Sequence, residues 1–487
     1  MRLNRNALSH LPIPGPDYDR DGIRAGIAHI GVGGFHRAHQ AMYLDRLMSL
    51  GRASDWGICG IGVTPADRRM RDVLAAQDCL YTLTLAHPDG AREPRVIGSL
   101  VDFLYAPDDP EAVIERLADP AIRIISLTIT EGGYNLRDDD GEFDRDAPAI
   151  RRDLAGGHPP ATVFGLVTAA LARRRDRGVA APTIVSCDNI EGNGRVARRA
   201  FTTYAEMLEP ALAHWITANA RFPSSMVDRI TPVTTPEVVE HCAAETGLRD
   251  EWPVVAEPFA AWVLEDDFVD GRPPLEEAGV RLVDDVTPYE FMKLRLLNAG
   301  HQCLCYFACL AGYRLVHEAA QDPLIAEYLD RYLDSEAMPT VPAIPGLAEF
   351  RGALLERFGN AHVRDTVARL CAESSDRIPK WLLPVIRDNL AAGRPVRLAV
   401  ATVAAWARYA EGVDENGDPI EVVDRLAETL TPLARTQRDN PTAFVENRAV
   451  FGDLVDDPRF VEAYVTTLRS LHRDGARATL KSLVKAE

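Results

Sequence analysis

The stretch IAHIGVGGFHRAHQ, residues 27–40, does most to decide the fold of this chain. A short apolar run leads into Gly31, Gly33 and Gly34, and a helical pattern follows. Gly31 would permit a tight turn and Gly33 a close approach of the backbone to a pyrophosphate, which the free N–H groups of the helix would face. The sixth position of this GxGxxG-like motif is His36, so a plain glycine turn of any α/β protein is the alternative.

Similar apolar runs recur on the C-terminal side of this stretch and predict buried parallel strands. Helical periodicity separates them in AHQAMYLDRLMSL (38–50) and PEAVIERLAD (110–119). This alternation predicts an α/β fold with a doubly wound sheet. The four predicted strands are IAHIGV (27–32), WGICGIGV (56–63), IRIISLTIT (122–130) and APTIVSCD (181–188).

The pattern changes near residue 285, where long amphipathic stretches take over and strand signals end. We therefore predict two domains: one with the doubly wound sheet over 1–284, with an irregular arm over 1–25, and a mainly α-helical one over 285–487. The stretch 231–284 is mixed and has room for extra strands of the first domain.

Composition limits the partners and the compartment. The chain has 487 residues, too many for a single core, and a formal net charge of −18, which argues against nucleic acid and anionic membranes as partners.

No apolar run reaches the 18 residues of a membrane span, and the N-terminus has no signal-peptide pattern, so we expect a cytoplasmic protein. The eight cysteines lie mostly in apolar runs without a CxxC pair, which favours reduced core thiols and no metal site.

The end of the second predicted strand bears on cofactor choice. Asp67 follows that strand in a loop, where its carboxylate could accept a hydrogen bond from a ribose 2′-OH and so favour NAD over NADP. Arg68 and Arg69 would instead suit a 2′-phosphate. An N-cap on the following helix is the structural alternative for Asp67, and it is compatible with the cofactor role.

The stretch YEFMKLRLLNAGH, residues 289–301, holds the chemical groups of an alcohol oxidation that needs no metal. On an α-helix, Glu290, Lys293, Asn298 and His301 fall within an arc of about 140°. A lysine that takes a proton, an amide that holds an oxyanion and an imidazole that orients a hydroxyl would then face one way. Lys293 and His301 would lie about 12 Å apart along a straight helix, so an extended lysine or a break at residues 299–300 would have to close the gap. A solvated face of an ordinary helix is the alternative.

Five segments together resemble the mannitol 2-dehydrogenase family of polyol-specific long-chain dehydrogenases: GVGGFHRAHQ, TITEGGY, SCDNIEGNG, MVDRITP and KLRLLNAGH. The resemblance runs through nearly the whole chain. It implies a zinc-independent, NAD-dependent oxidoreductase, typically monomeric. Its Rossmann-type domain, 1–284, would bind NAD, its helical domain, 285–487, would bind substrate and carry the catalytic groups, and the active site would lie in the cleft between them. The implied reaction interconverts a sugar alcohol and a 2-ketose, D-mannitol and D-fructose first, with D-arabinitol or D-sorbitol as other candidates.

The resemblance also implies residue roles. Lys293 matches the family's general base, Asn189 and Asn298 the two amides that hold the alkoxide, and His301 the histidine that orients the substrate. The implied cofactor contacts are Gly31, Gly33, Gly34, Phe35, His36, Asp67, Glu131 and Asp228. The implied substrate contacts are Arg369, Arg377, Glu290 and His301. Two departures flank the substrate side: the family's DGSSK reads ESSDR here and its NGSH reads NAGH.

To act as a base near neutral pH, Lys293 needs a pKa well below the ordinary 10.4 or so, and burial together with Arg369, Arg377 and the nicotinamide would lower it. Three alternatives stay open. A zinc alcohol dehydrogenase would need Cys/His ligands, but His317-Glu318 has no histidine at HExxH spacing. A hexuronate reductase of the same family would need a cation for the substrate carboxylate, which Arg377 could supply. A non-catalytic nucleotide-binding protein would have no use for a base.

Overall fold

The computed structural model describes residues 1–137 and 141–485. These residues form two compact units, Met1–Thr287 and a second unit that begins at Pro288. All eleven strands that the described residues form lie in the first unit. They are β1 (Ala25–Ile30), β2 (Gly57–Gly62), β3 (Tyr81–Ala86), β4 (Arg92–Ile97), β5 (Leu100–Tyr105), β6 (Ile124–Leu127), β7 (Thr183–Ser186), β8 (Ser225–Asp228), β9 (Val254–Ala256), β10 (Ala261–Glu265) and β11 (Arg281–Val283).

The main sheet is parallel throughout and has the strand order β5-β2-β1-β6-β7. Ile27 of β1 pairs with Ile58 on one side and Ile124 on the other, so β1 is central. The chain moves outward from β1 through β2 to β5 and then returns to the opposite side of β1 at β6. This reversal is the topological switch point of a Rossmann-type sheet, and it confirms the predicted fold class.

Helices cover the main sheet, and its alternating side chains enter separate apolar clusters. Ala28 and Ile30 belong to one cluster, whereas Ile27 belongs to the other. The first unit contains α1 (Gly34–Ala38), α2 (Gln40–Ser49), α3 (Arg68–Ala76), α4 (Pro110–Ala118), α5 (Thr130–Gly133), α6 (Pro148–Leu154), α7 (Val163–Asp176), α8 (Asn193–Leu208), α9 (Pro210–Asn219) and α10 (Pro236–Thr246). Short 3₁₀ turns occur at Arg5–His10, Arg20–Gly22, Pro65–Asp67 and Leu275–Ala278.

Two small three-stranded sheets complete the first unit, with orders β11-β10-β8 and β4-β3-β9. The strands expected within 231–284 are present as β9, β10 and β11. The strands over residues 81–105 were not predicted. β3 and β4 form an antiparallel hairpin, and β4 reads REPRVI, a sequence too polar to stand out as a buried strand.

The second unit is helical, and the described residues from Pro288 to Lys485 form no strand. Its helices are α11 (Thr287–Met292), α12 (Ala299–Leu310), α13 (Val316–Ala320), α14 (Pro323–Tyr332), α15 (Leu347–Phe358), α16 (Val367–Cys371), α17 (Ser374–Trp381), α18 (Leu383–Ala391), α19 (Arg397–Tyr409), α20 (Ala427–Arg435), α21 (Arg448–Phe451), α22 (Pro458–Asp474) and α23 (Ala476–Lys485). Two π-helical segments, Lys293–Asn298 and Leu333–Ala337, and 3₁₀ turns at Met338–Thr340 and Leu454–Asp456 complete it. The core helix α19 is buried at every position from Leu398 to Tyr409.

Candidate active site

The glycine turn lies at the switch point of the main sheet. Gly31 has φ +93°, and a Cβ on it would stand 2.1 Å from the carbonyl oxygen of Thr128, so only glycine fits. Thr128 Oγ1 donates a hydrogen bond of 2.7 Å to the Gly31 carbonyl, which joins the loops after β1 and β6. At Gly33, a Cβ would meet only the Gly31 carbonyl, at 3.9 Å, so the space beside the backbone is open. A dinucleotide pyrophosphate needs this combination of a closed first glycine and an open second one.

The helix predicted after the glycine turn is interrupted. α1 is only five residues long and ends at His39, whose backbone leaves the helical region, and α2 starts at Gln40. Phe35 stacks on the His39 ring with 4.8 Å between centroids. His36 is fully buried and stacks on His29 at 3.5 Å, and burial lowers the pKa of His36. The histidine at the motif's sixth position therefore packs against β1.

Asp67 closes the turn that follows β2. Its Oδ2 accepts hydrogen bonds from the backbone N–H of Val63 (2.9 Å), the N–H of Thr64 (2.8 Å) and the Thr64 hydroxyl (2.9 Å). The carboxylate is thus engaged with the end of β2 rather than with the start of α3. The side chain is still partly exposed, which leaves it accessible to a ribose hydroxyl. Arg69 lies over the Trp252 ring, 4.4 Å from its centroid.

A buried carboxylate that sequence reasoning missed connects the loops after β6 and β7. Asp188 accepts hydrogen bonds from the N–H groups of Ile129 (3.1 Å) and Thr130 (2.8 Å) and from the hydroxyl of Tyr134 (2.9 Å). Burial raises the pKa of the Asp188 carboxyl above its ordinary value, although the hydrogen bonds from these donors act to lower it. The signal was present in the sequence, since Asp188 directly precedes Asn189 in SCDN.

Asn193, the first residue of α8, connects the loop after β7 to the start of β8 and was also missed. Its Nδ2 donates to the carbonyls of Asp188 (3.0 Å) and Ser225 (2.8 Å), and its Oδ1 accepts from the Ser225 N–H (2.9 Å). The predicted residues Asn189 and Glu131 lie exposed on the loops that Asp188 connects, and Asp228 is buried at the end of β8. Exposed polar side chains therefore follow the strand ends, and the buried side chains of Asp188 and Asn193 fix the backbone that carries them.

The predicted catalytic set of the second unit lies on a π-helical turn. Lys293–Asn298 is π-helical, and α11 and α12 continue it on either side. The straight α-helix assumed from the sequence is therefore wrong, and so is a break at residues 299–300, because α12 runs through both. A π-helix bonds residue i to residue i+5, so Lys293 and Asn298 stand one turn apart on one face. Lys293, Asn298 and His301 are 8%, 5% and 7% exposed, which excludes the solvated helix face.

Two of the substrate-side residues predicted from the resemblance, His301 and Arg369, interact with Asp365. The His301 ring stacks on Phe358 at 4.1 Å between centroids. Asp365 forms an ion pair with Arg369 in which both carboxylate oxygens accept, one from Nε at 2.6 Å. Burial alone would raise the pKa of Asp365, but the Arg369 hydrogen bonds, helped by the nearby His301, hold it below its ordinary value. Arg377 donates to the carbonyls of residues 369 (2.9 Å) and 370 (3.1 Å).

Three further observations concern Glu290, metal ligands and membrane helices. Glu290, one helical turn before Lys293, is 4% exposed. Within 1–137 and 141–485, no group of three or more His, Cys, Asp or Glu side chains is arranged to hold a metal ion. None of the helices formed by these residues combines the length and apolar character needed to cross a membrane.

Comparisons with known proteins agree with this architecture. The model of the mannitol dehydrogenase Rossmann domain matches residues 25–277, and that of the mannitol dehydrogenase C-terminal domain matches 285–472. A Rossmann-type unit followed by a helical unit of this kind defines a two-domain dehydrogenase. More particularly, the chain belongs to the mannitol dehydrogenase family, as the sequence motifs predicted.

Individual relatives cover nearly the whole chain. Mannitol 2-dehydrogenase of Phaeosphaeria nodorum is 44% identical over 99% of this chain and 85% of its own length, and that of Cereibacter sphaeroides is 44% identical over 97% and 98%. The ternary complex of Pseudomonas fluorescens mannitol 2-dehydrogenase with NAD and D-mannitol matches with a TM-score of 0.89, 45% identity and complete coverage of both chains. A substrate-free D-sorbitol dehydrogenase matches with a TM-score of 0.92, 40% identity and coverage of 99% and 100%. The first of these solved structures contains NAD, the cofactor predicted here.

Proposed function

We propose that this protein is an NAD-dependent, zinc-independent dehydrogenase that interconverts D-mannitol and D-fructose. The observation that carries the proposal is the π-turn, which brings Lys293 and Asn298 to one face of a buried helix. The Pseudomonas fluorescens relative, solved with NAD and D-mannitol, supports the choice of both ligands. D-sorbitol is a second candidate substrate because the chain is 40% identical to a D-sorbitol dehydrogenase, and D-arabinitol is a third.

The first unit binds the cofactor in this proposal. Gly31 shapes the turn, Gly33 leaves room for the pyrophosphate, and Gly34, Phe35 and His36 continue the contact surface. Asp67 accepts from the ribose, which favours NAD over NADP. Glu131 and Asp228 line the cofactor side of the loops. NAD, when bound, accepts the hydride released from the carbinol carbon.

The second unit removes the proton in this proposal. Lys293 Nζ, as the neutral amine, takes the proton of the C2 hydroxyl, and burial of its side chain favours that neutral form. Asn298, one π-turn away, donates hydrogen bonds to the alkoxide, and Asn189 of the first unit is the second donor. His301 orients the hydroxyl from its place against Phe358, and Glu290 belongs to the path by which the proton leaves.

The ion pair between Asp365 and Arg369 favours a neutral sugar over a hexuronate. Both carboxylate oxygens of Asp365 bind Arg369, so the pair carries no net charge. Nη1 of Arg377 donates to two backbone carbonyls, which do not neutralise its charge, so Arg377 is the cation that the reductase alternative would have to use. A hexuronate carboxylate would need a cation without a protein counter-charge, since a buried unpaired carboxylate is costly. Arg369 with Asp365 instead offers hydrogen bonds to hydroxyl groups.

A direct assay tests this proposal. The purified enzyme should oxidise NADH in the presence of D-fructose and leave fructuronate and tagaturonate almost unused, with NADPH a poorer donor than NADH. Activity should survive exhaustive chelation. Preferred turnover of a hexuronate would establish the reductase alternative, and binding of NADH without turnover of any polyol or ketose would establish the non-catalytic alternative.

One variant tests whether the Asp365–Arg369 pair selects a neutral sugar over a hexuronate. Asp365→Asn keeps the size of the side chain but leaves the Arg369 charge uncompensated. We expect the ratio of kcat/KM for fructuronate over fructose to rise by about tenfold, which corresponds to about 1.4 kcal/mol of differential binding. Asp376→Asn, which removes a charge paired with Arg425 rather than with Arg369, is the matched control and should leave the ratio unchanged. An unchanged ratio in Asp365→Asn would reject the role assigned to the pair.

A further inference from the structure

We propose that Tyr332 is a positioning residue that holds the π-turn Lys293–Asn298 in register through its hydroxyl. The inference rests on the proposed function, because it matters for turnover only if Lys293 and Asn298 carry the chemistry. Tyr332 is fully buried at the C-terminal end of α14 and belongs to none of the motifs that pointed to the family.

The backbone shows what the hydroxyl does. The Ala299 N–H donates hydrogen bonds to the carbonyls of Leu294 and Leu296 but not to the carbonyl of Arg295. Where a π-helix returns to an α-helix, one carbonyl loses its place in the ladder, and a buried carbonyl without a partner is costly. Tyr332 Oη donates to the Arg295 carbonyl at 3.1 Å. The phenol therefore supplies the hydrogen bond that the end of the π-turn lacks.

Tyr332 is itself held by the core of the second unit. The π-helical segment Leu333–Ala337 begins directly after it. In that segment the Glu336 carboxylate accepts from the N–H groups of Leu398 and Ala399, each at 2.7 Å, at the start of α19. Asn389 Nδ2 donates to the Glu336 carbonyl at 2.8 Å. The position of the phenol is thus tied to α19, which is buried from Leu398 to Tyr409.

The side chain of Arg295 anchors the same turn from another direction. Its Nη1 donates to the Thr340 carbonyl and to Asp388 Oδ2, both at 2.6 Å. Backbone and side chain of one residue at the centre of the turn are therefore both fixed by groups distant in sequence. In an ordinary α-helix, Lys293 and Asn298 would lie at the two opposite edges of the arc of about 140°, whereas a π-helix brings them one turn apart and closer together. Loss of the π register would separate the base from the amide that holds the alkoxide.

The test compares two tyrosines on the same helix. Tyr332→Phe removes only the hydroxyl. Tyr328→Phe is the matched control, because Tyr328 is also fully buried on α14 but its hydroxyl bonds to the Leu398 carbonyl (2.7 Å) and to Thr402 Oγ1 (2.8 Å) on α19. The measurements are kcat and KM for D-fructose, NADH affinity, thermal unfolding, and amide hydrogen exchange of the peptide that covers residues 293–300.

A positioning role predicts a split between the variants. We expect Tyr332→Phe to lower kcat about tenfold or more, with KM and NADH affinity nearly unchanged, and to speed exchange in the 293–300 peptide. Tyr328→Phe should lower the unfolding temperature similarly but keep kcat within about twofold of wild type. Equal kcat in the two variants would overturn the inference. So would a Tyr332→Phe protein that cannot be obtained folded when Tyr328→Phe can, because Tyr332 would then serve overall stability.

Lys293→Ala, assayed in parallel, separates this inference from the proposed function. If Lys293→Ala stays active, the proposed chemistry fails, whatever Tyr332→Phe does. If Lys293→Ala is inactive while Tyr332→Phe behaves like Tyr328→Phe, the chemistry stands and only the positioning role of Tyr332 is rejected.

Discussion

The glycine turn of the first unit and the π-turn of the second are both short departures from regular backbone, but different interactions hold them. Gly31 adopts its conformation because it has no Cβ to meet the Thr128 carbonyl, 2.1 Å from where that atom would be. The π-turn uses six ordinary residues, KLRLLN. It is held by Tyr332, Thr340 and Asp388, which lie 37, 45 and 93 positions from Arg295.

Because different interactions hold them, the two turns should be sensitive to different substitutions. A turn that depends on a missing Cβ is broken by one added methyl group. This sensitivity does not depend on which residue carries out the catalysis. A turn that depends on distant donors and acceptors accepts changes in those of its side chains that do not bind them, which here excludes Arg295. We therefore expect substitutions in the glycine turn to affect folding and cofactor binding, and substitutions in the π-turn to affect turnover.

The largest effect is expected at Lys293. Lys293→Ala removes the proposed base while the partners that hold the backbone of the π-turn stay in place. Turnover should fall by about 10²–10⁴-fold, the usual range for loss of a general base, and NADH affinity should stay close to that of the wild type. Steady-state kinetics and NADH fluorescence titration measure the two quantities. The exposed Lys481→Ala on α23 is the control and should retain full activity. Near-normal turnover of Lys293→Ala would show that another group takes the proton.

The same comparison explains how much could be predicted from the sequence. The strands β1, β2, β6 and β7 and the turn at Gly31 were predicted because local patterns determine them: apolar runs for buried parallel strands and glycine for a positive φ. The hairpin of β3 and β4 was missed because its pairing partner, rather than its own sequence, makes REPRVI a strand.

In the candidate site, too, features set by the local sequence could be predicted, and features set by distant partners could not. Lys293, Asn298 and His301 were proposed as site residues from residue type and resemblance, but the turn that brings the first two to one face was not predicted. A π-turn adds one residue to a helical turn, and nothing in KLRLLN distinguishes it from an α-helix. Asp188 and Asn193 were missed because their roles appear only when the loops after β6 and β7 and the start of β8 are placed side by side.

The next effect in size is expected at Gly31. Gly31→Ala places a Cβ against the Thr128 carbonyl and forces alanine to φ +93°, so the loops after β1 and β6 must separate. The free energy of unfolding should fall by roughly 2–4 kcal/mol, and NADH binding should be lost with the turn. Urea unfolding followed by tryptophan fluorescence measures the first effect. Gly51→Ala is the control for a positive φ alone, since its Cβ would meet nothing within 4 Å. Equal losses in the two variants would mean that the contact with Thr128 contributes little.

The smallest effect is expected at Gly33, and it separates cofactor binding from folding within one turn. A Cβ at Gly33 would meet only the Gly31 carbonyl, at an ordinary 3.9 Å, and the backbone has φ −112°, which any residue adopts. Gly33→Ala should therefore unfold like the wild type. If the open space beside this glycine receives the pyrophosphate, the added methyl group should weaken NADH binding about tenfold, or about 1.4 kcal/mol. Isothermal titration with NADH and with free ADP-ribose measures the loss, which should be similar for both ligands because they share the pyrophosphate. Unchanged affinity for both would mean that the dinucleotide lies elsewhere, and the turn at Gly31 would then be a structural feature of the sheet alone.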